Sequence, residues 1–397
     1  MFEHEIERLR AAGLFREPPA GKTDRACPQG ALIRLEGRDL VNFASNDYLG
    51  LAAHEALVLA AQDAARDFGA GGGASRLLSG GTVLHATLEQ EAASFTGAPA
   101  ALLFNSGYHA NTGAIPALAA EEDLIFSDEL NHASIIDGCR LSRAETLIYR
   151  HADTGHLRGL LEGACGRNKK TKGRKFIVTE SVFSMDGDIA PLPAIAELAA
   201  EHGAVLYVDE AHAVGVLGGF LGRGGLARFG LSAGRREGGP GIISMSTFSK
   251  ALGSYGAFVA ADKGTVDWLR NTARTFIFST ALPPAPVAVA LASLKLLRED
   301  AGRALIERLW GNRQTLYDGI RRNGFETGPT ETPIIPILFD GAAEVLAASA
   351  ALREAGFYVP AIRPPTVRRP RLRLQASAAH SPGQIERLLT ALGKIKK

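Results

Sequence analysis

Cysteine is scarce in this chain: three in 397 residues, Cys27, Cys139 and Cys165. They are too few for a disulfide framework and too scattered for a metal-ligand spacing, which suits a reducing compartment. A charge excess of one sign is also missing. Lys and Arg number 44 against 42 Asp and Glu, a formal net charge of +2, and that balance argues against a general nucleic-acid binder. The basic run Arg368, Arg369, Arg371, Arg373 is short. No apolar run approaches the roughly 20 residues that span a bilayer. Met1 to Arg10 is charged rather than built on a signal core. The expected location is therefore the cytoplasm, with no membrane or nucleic-acid partner. The sequence also lacks an internal repeat, a Gly-x-Ser-x-Gly elbow and a metal-binding cluster, so no metal is expected.

What is present is alternation. Residues 1–16 have the pattern of an amphipathic helix, Pro18 to Pro28 is a connector rich in breakers, and Leu32 to Asn42 suggests a hairpin. Phe68 to Gly81 is glycine-rich, and the chain turns helical from Leu84 to Phe95. Short apolar runs then alternate with helical stretches: Ala100–Phe104, Leu124–Ser127, Phe176–Thr179, Ala204–Val208, Gly241–Ser246 and Gly256–Ala260. Such alternation predicts an α/β fold with a mostly parallel sheet covered by helices. After Pro283-Pro284-Ala285-Pro286 the character changes. Helices are expected near 288–297, 301–323, 343–355 and 382–395, with strands at Ile334–Leu338 and Arg371–Gln375. The reading is an N-terminal arm (1–45), a large domain (46–285) and a smaller C-terminal α/β domain (286–397).

In a parallel sheet, ligands bind beyond the carboxyl ends of the strands. Ser106, Asp128, Glu180, Asp209 and Lys250 all lie at such ends. Lys250 sits in Ser246-Thr247-Phe248-Ser249-Lys250-Ala251-Leu252-Gly253 between two apolar runs. It reads either as a loop lysine or as a buried amine with its protonated form disfavoured, as Schiff-base chemistry requires. Asp209-Glu210-Ala211-His212 has the lettering of a helicase box. The only candidate phosphate loop, Ala20-Gly21-Lys22-Thr23, lacks its first glycine, because position 16 is Arg16. Asp209 is then a strand-end cap or a partner for a cofactor's pyridine nitrogen. His132 is a structural group or an imidazole stacked on a flat ring. Ser106-Gly107-Tyr108 is a glycine turn or a phosphate-binding helix start. Arg373, between Leu372 and Leu374, is an exposed strand residue or a carboxylate fork.

Taken together, these motifs resemble the α-oxoamine synthase family of fold type I pyridoxal 5'-phosphate (PLP) enzymes. The likeness runs from about Asn42 to His380. It includes Ser45-Asn46-Asp47-Tyr48-Leu49-Gly50, Gly72-Gly73-Ala74-Ser75-Arg76, Thr179 to Asp188, Asp209 to His212, Thr247 to Lys250, Phe278 to Pro284 and Ile362 to Val367. The resemblance implies a large domain with a mostly parallel seven-stranded sheet and a smaller C-terminal domain. It implies that Lys250 carries PLP as a Schiff base, Asp209 pairs with the ring nitrogen and His132 stacks on the ring. Ser184 and His212 would face the phenolic oxygen, and Gly107, Tyr108 and Thr247 the phosphate. Thr280 would enter from a second subunit of a homodimer. Arg373 would bind the amino acid's carboxylate with Asn46 nearby, and Arg16 and Thr366 would face the acyl substrate. The implied reaction is a decarboxylative condensation of an amino acid with an acyl thioester. The loops suggest L-alanine and a pimeloyl group on CoA or acyl-carrier protein. Relatives using glycine or serine with other acyl groups share the machinery, and an aminotransferase shares the fold.

Overall fold

Apolar runs become buried strands only where helices cover both faces of their sheet. The structure, a computed structural model, describes residues 1–11, 15, 27–167, 173–236 and 239–395. Its strands are β1 (Leu32–Leu35), β2 (Arg38–Asn42), β3 (Ala100–Phe104), β4 (Leu124–Asp128), β5 (Glu145–Tyr149), β6 (Lys175–Glu180), β7 (Ala204–Asp209), β8 (Gly234–Arg236), β9 (Gly239–Thr247), β10 (Ala257–Ala261), β11 (Ile334–Leu338), β12 (Phe357–Tyr358), β13 (Ala361–Ile362) and β14 (Arg371–Gln375). The main sheet runs β3-β10-β9-β7-β6-β4-β5, with β8 beside β9. The pairs from β9 through β7, β6 and β4 to β5 are parallel, whereas β10 is antiparallel to both β3 and β9. The expected mostly parallel sheet is therefore present, as a path of seven strands with a short eighth at its side.

Successive strand residues point to opposite faces. Phe176, Val178, Tyr207, Ile243 and Met245 enter one core with Ala110, Ala114 and Ile115 of the helix Gly107–Leu118 and Ile135 of the helix Ala133–Ser142. Phe126, Ile177, Leu206 and Val208 enter the opposite core, with Ile195 of the helix Leu192–Glu201. The two helices on the first face pack closely because residue 138 is glycine. A Cβ there would stand 2.7 Å from the Asn111 carbonyl oxygen.

The hairpin β1–β2, assigned by sequence to an N-terminal arm, pairs in parallel with β12, Val41 opposite Phe357. The proline cluster at 283–286 does not break the chain. It starts the helix Pro284–Leu297, where proline's missing N–H is no loss, and that helix packs on Glu55–Phe68 and Val83–Thr96. Strand β5 and the helices Glu55–Phe68, Ala133–Ser142 and Thr154–Arg167 were not expected from sequence. Of the helix read over 1–16, Glu3–Ala11 is described; residues 12–14 and 16 lie outside the described residues.

A third sheet, β11-β14-β13, is antiparallel. Its central strand β14 is buried at every position, so Arg371 and Arg373 share one buried face while Leu372 and Leu374 take the other.

Candidate active site

Parallel register aligns the strand ends. Glu180 ends β6 directly opposite Asp209 at the end of β7, and Asp209 in turn lies opposite Met245 of β9. The chain leaves β9 at Thr247, whose hydroxyl donates to the Gly256 carbonyl (2.9 Å) and accepts from the Ser249 N–H (3.2 Å). Gly253 closes this turn at φ 62°, where a Cβ would stand 2.6 Å from the Ala52 nitrogen. The turn delivers Lys250. No hydrogen bond or ion pair engages its amine among the described residues. Burial holds the amine below the ordinary lysine range, against the opposing pull of the Asp209 and Glu180 carboxylates, and the Arg373 charge adds to the lowering. A cavity of about 340 Å³ opens beside it, walled by Ser45, Asn46, Asp47, Ser249 and Ser254.

Asp209 is 4% exposed. One carboxylate oxygen accepts from the Ala211 N–H (2.9 Å) and the other from the Asn111 amide (2.8 Å). The same amide nitrogen lies 2.9 Å from the Ser134 hydroxyl, and the Tyr207 hydroxyl donates to the Asn111 amide oxygen (2.9 Å). Ser134 leads to His132: its hydroxyl is 2.8 Å from Nδ1, which also accepts the Ser134 N–H at 3.2 Å. Nδ1 is thus an acceptor, and the neutral ring carries its proton on Nε2. Burial and the Lys250 charge lower the His132 pKa, partly offset by Asp209. The Glu180 carboxylate takes the His132 backbone N–H at 2.7 Å, and burial together with Asp209 raises its own pKa well above the usual range.

His212, 7% exposed, contacts the Tyr48 hydroxyl at 2.8 Å. Burial and the charges of Lys250 and Arg373 hold it neutral. Arg373 reaches across from β14. Its Nε donates to the Ser184 carbonyl (2.6 Å) and its Nη atoms to the Asn46 side-chain oxygen (3.3 and 3.4 Å). Arg371 bonds Asp186 and the Met185 carbonyl of the same loop. The helix Gly107–Leu118 begins beside Thr247. A Cβ at Gly107 would be 3.9 Å from that of Thr247, and Ser106 caps the helix by accepting from the His109 N–H (3.2 Å). Tyr108 sits edge-on to His132, ring centroids 6.5 Å apart.

Lys250, Asp209, His132, His212, Arg373, Asn46, Ser184, Gly107, Tyr108 and Thr247 thus gather at one end of the sheet. Two residues singled out by sequence do not join them. Thr280 is exposed, bridged to Ser75 with its carbonyl held by Asn105 (2.8 Å). Thr366 is exposed in the loop before β14. Arg16 lies outside the described residues. Sequence reasoning missed Asn111, Ser134, Tyr207 and the role of Tyr48. The available signal was a lone amide among Ala110, Ala114 and Ile115 on a helix that starts at a strand end.

The model of the family aminotransferase class I and II matches residues 38–392. An 8-amino-7-oxononanoate synthase from Geotalea daltonii is 47% identical, covering 99% of this chain and 97% of that protein. A solved serine palmitoyltransferase variant from S. paucimobilis with bound PLP–myriocin superposes with a TM-score of 0.89 at 31% identity, over 99% of this chain and 97% of the other. A solved 8-amino-7-oxononanoate synthase from Francisella tularensis gives 0.74 at 29% identity, over 89% and 97%. Identity of this order along nearly the whole chain makes it a PLP-dependent enzyme, an acyltransferase belonging to the aminotransferase class I and II family in its 8-amino-7-oxononanoate synthase branch.

Proposed function

We propose that this enzyme condenses L-alanine with a pimeloyl thioester, of CoA or of acyl-carrier protein, releasing CO2 and the thiol and forming 8-amino-7-oxononanoate for biotin biosynthesis. The residues fit the cofactor. Lys250 offers an amine with no hydrogen bond or ion pair among the described residues, Asp209 a buried carboxylate for the ring nitrogen and His132 an exposed imidazole. Ser184 and His212 would face the phenolic oxygen. Gly107, Tyr108 and Thr247 form the phosphate seat, where the first N–H groups of the helix Gly107–Leu118 have no intrahelical partner. When bound, PLP supplies an electron sink for bonds at the amino acid's α-carbon.

The chain's own groups do the rest. Arg373 binds and orients the alanine carboxylate, with Asn46 holding the guanidinium in place. Lys250 Nζ moves the α-proton as general base, a role its lowered proton affinity suits. Asp209 would hold a proton at the ring nitrogen. His132 has Nε2–H available to move a proton at the acyl carbonyl oxygen. Thr366 would face the acyl chain. Thr280 belongs to the phosphate seat of a second subunit in a homodimer. Its exposure fits that role, as do the uncovered apolar side chains of Leu78 (80% exposed), Val83 (66%) and Phe278 (70%). Among the described residues no helix is long and apolar enough to cross a membrane, in keeping with a cytoplasmic enzyme.

The observation that carries the reading is Arg373. It is 6% exposed and held from a separate sheet against the loop of Ser184, within the charge field of Lys250. A carboxylate-bearing substrate is what a fork so placed would bind. The test is a screen of alanine, glycine and serine against acetyl-, succinyl-, pimeloyl- and palmitoyl-CoA, scored by thiol release. Alanine with the pimeloyl thioester should give the highest kcat/KM. Preference for glycine with a short acyl group, or for serine with palmitoyl-CoA, would overturn the assignment.

A further inference from the structure

Asn111 is fully buried, 0% exposed, on a helix whose neighbouring inward positions are Ala110, Ala114 and Ile115. A residue needed there only for packing would be apolar, because a buried amide is costly unless its hydrogen bonds are made. Among the described residues, none of the side-chain bonds of Asn111 goes to a backbone group. Its nitrogen serves Asp209 (2.8 Å) and Ser134 (2.9 Å), and its oxygen takes the Tyr207 hydroxyl (2.9 Å). The amide orientation is fixed by chemistry. The Asp209 carboxylate only accepts, so nitrogen must face it. Ser134 then accepts from Asn111 and has its own hydroxyl hydrogen for Nδ1 of His132, 2.8 Å away.

The backbone is shaped for this arrangement. Tyr207 and Asp209 are two apart on β7 and point to the same face, toward the helix of Asn111. Gly138 lets the helix of Ser134 approach, since any Cβ there would collide with the Asn111 carbonyl oxygen at 2.7 Å.

We propose that Asn111 is a positioning residue that yokes Asp209 to His132, orienting the carboxylate directly and the imidazole through Ser134, so that the groups at the ring nitrogen and at the ring face are set as one unit. This rests on the PLP reading above. Losing the amide removes a donor from the Asp209 carboxylate and lets it rotate, so the ring nitrogen holds its proton less well. It also strands the buried Tyr207 hydroxyl.

The test compares wild type, Asn111→Leu and Tyr207→Phe, each reconstituted with PLP, by following the bound cofactor's visible absorbance against pH. Asn111→Leu should move the midpoint upward by about one pH unit, the size of one lost hydrogen bond to a charged group. Tyr207→Phe, which keeps the ring volume, should move it the same way by less. Asn111→Leu should also lower kcat about tenfold with the thioester KM unchanged. In an Asp209→Asn background that loss should nearly vanish, because a residue acting through Asp209 has nothing left to act on. A merely structural role would give additive losses and an unmoved midpoint. Full cofactor loading with no shift in either variant overturns the proposal. A wild type that takes up no PLP overturns the functional reading, and this inference with it.

Discussion

Replacing His151 with glutamine should loosen the loop that carries Ser184. His151 lies between two acids, with Nδ1 3.0 Å from Asp128 and Nε2 2.9 Å from Asp188, and the edge of Phe183 packs against it. Burial alone would lower its pKa. The hydrogen bonds and charges of both carboxylates outweigh that and push it up to about 10 from an ordinary 6.5. That gap corresponds to about 5 kcal/mol. The side chain is 22% exposed, and solvent screening reduces the figure to about 2–3 kcal/mol. The sign follows from the raised folded-state pKa. The stabilisation is fully present below pH 6.5 and is lost as pH rises through about 10. The His151→Gln protein leaves Asp128 (3% exposed) and Asp188 (8%) buried without their cation. Near pH 6 it should be less stable than wild type by about 3 kcal/mol in urea unfolding. By about pH 10.5 the difference should shrink by about 2 kcal/mol. Because the Ser184 carbonyl anchors Arg373, the amino-acid KM should rise as well. A stability difference that is the same at both pH values, or below about 0.5 kcal/mol, would refute a bridging imidazolium.

Arg373→Lys should raise the amino-acid KM about a hundredfold, from loss of the planar fork, while the thioester KM stays within about twofold; equal changes in both would contradict a carboxylate site. Gly187→Ala should destabilise by about 2–4 kcal/mol in the same unfolding assay, because φ is +71° and the new Cβ would meet the Ile334 carbonyl oxygen at 2.3 Å. A loss under about 0.5 kcal/mol would mean that the Ser184 loop yields freely against β11.

The core strands were legible because covered parallel strands are unbroken apolar runs: Phe176–Thr179 and Ala204–Val208 announce themselves. Strand β5 did not, since it is an edge strand with Glu145 and Ile148 exposed. The union of β2 with β12 joins residues some three hundred positions apart, beyond any local pattern. Lys250, Asp209 and Arg373 stood out as charged residues interrupting apolar context. Asn111 and His151 did not. An amide in a helix and a histidine in a loop acquire meaning only from partners far along the chain, such as Asp209 for one and Asp188 for the other. Sequence also placed a cofactor at this edge without indicating that the ring-facing groups share a buried hydrogen-bond chain.

The central claim is that Lys250 carries the cofactor. Borohydride reduction of the PLP-loaded enzyme, followed by proteolysis and mass mapping of the labelled peptide, tests it most directly. The account predicts one labelled residue, Lys250, and no stable label in Lys250→Ala. Label on any other lysine of the wild-type enzyme would contradict it.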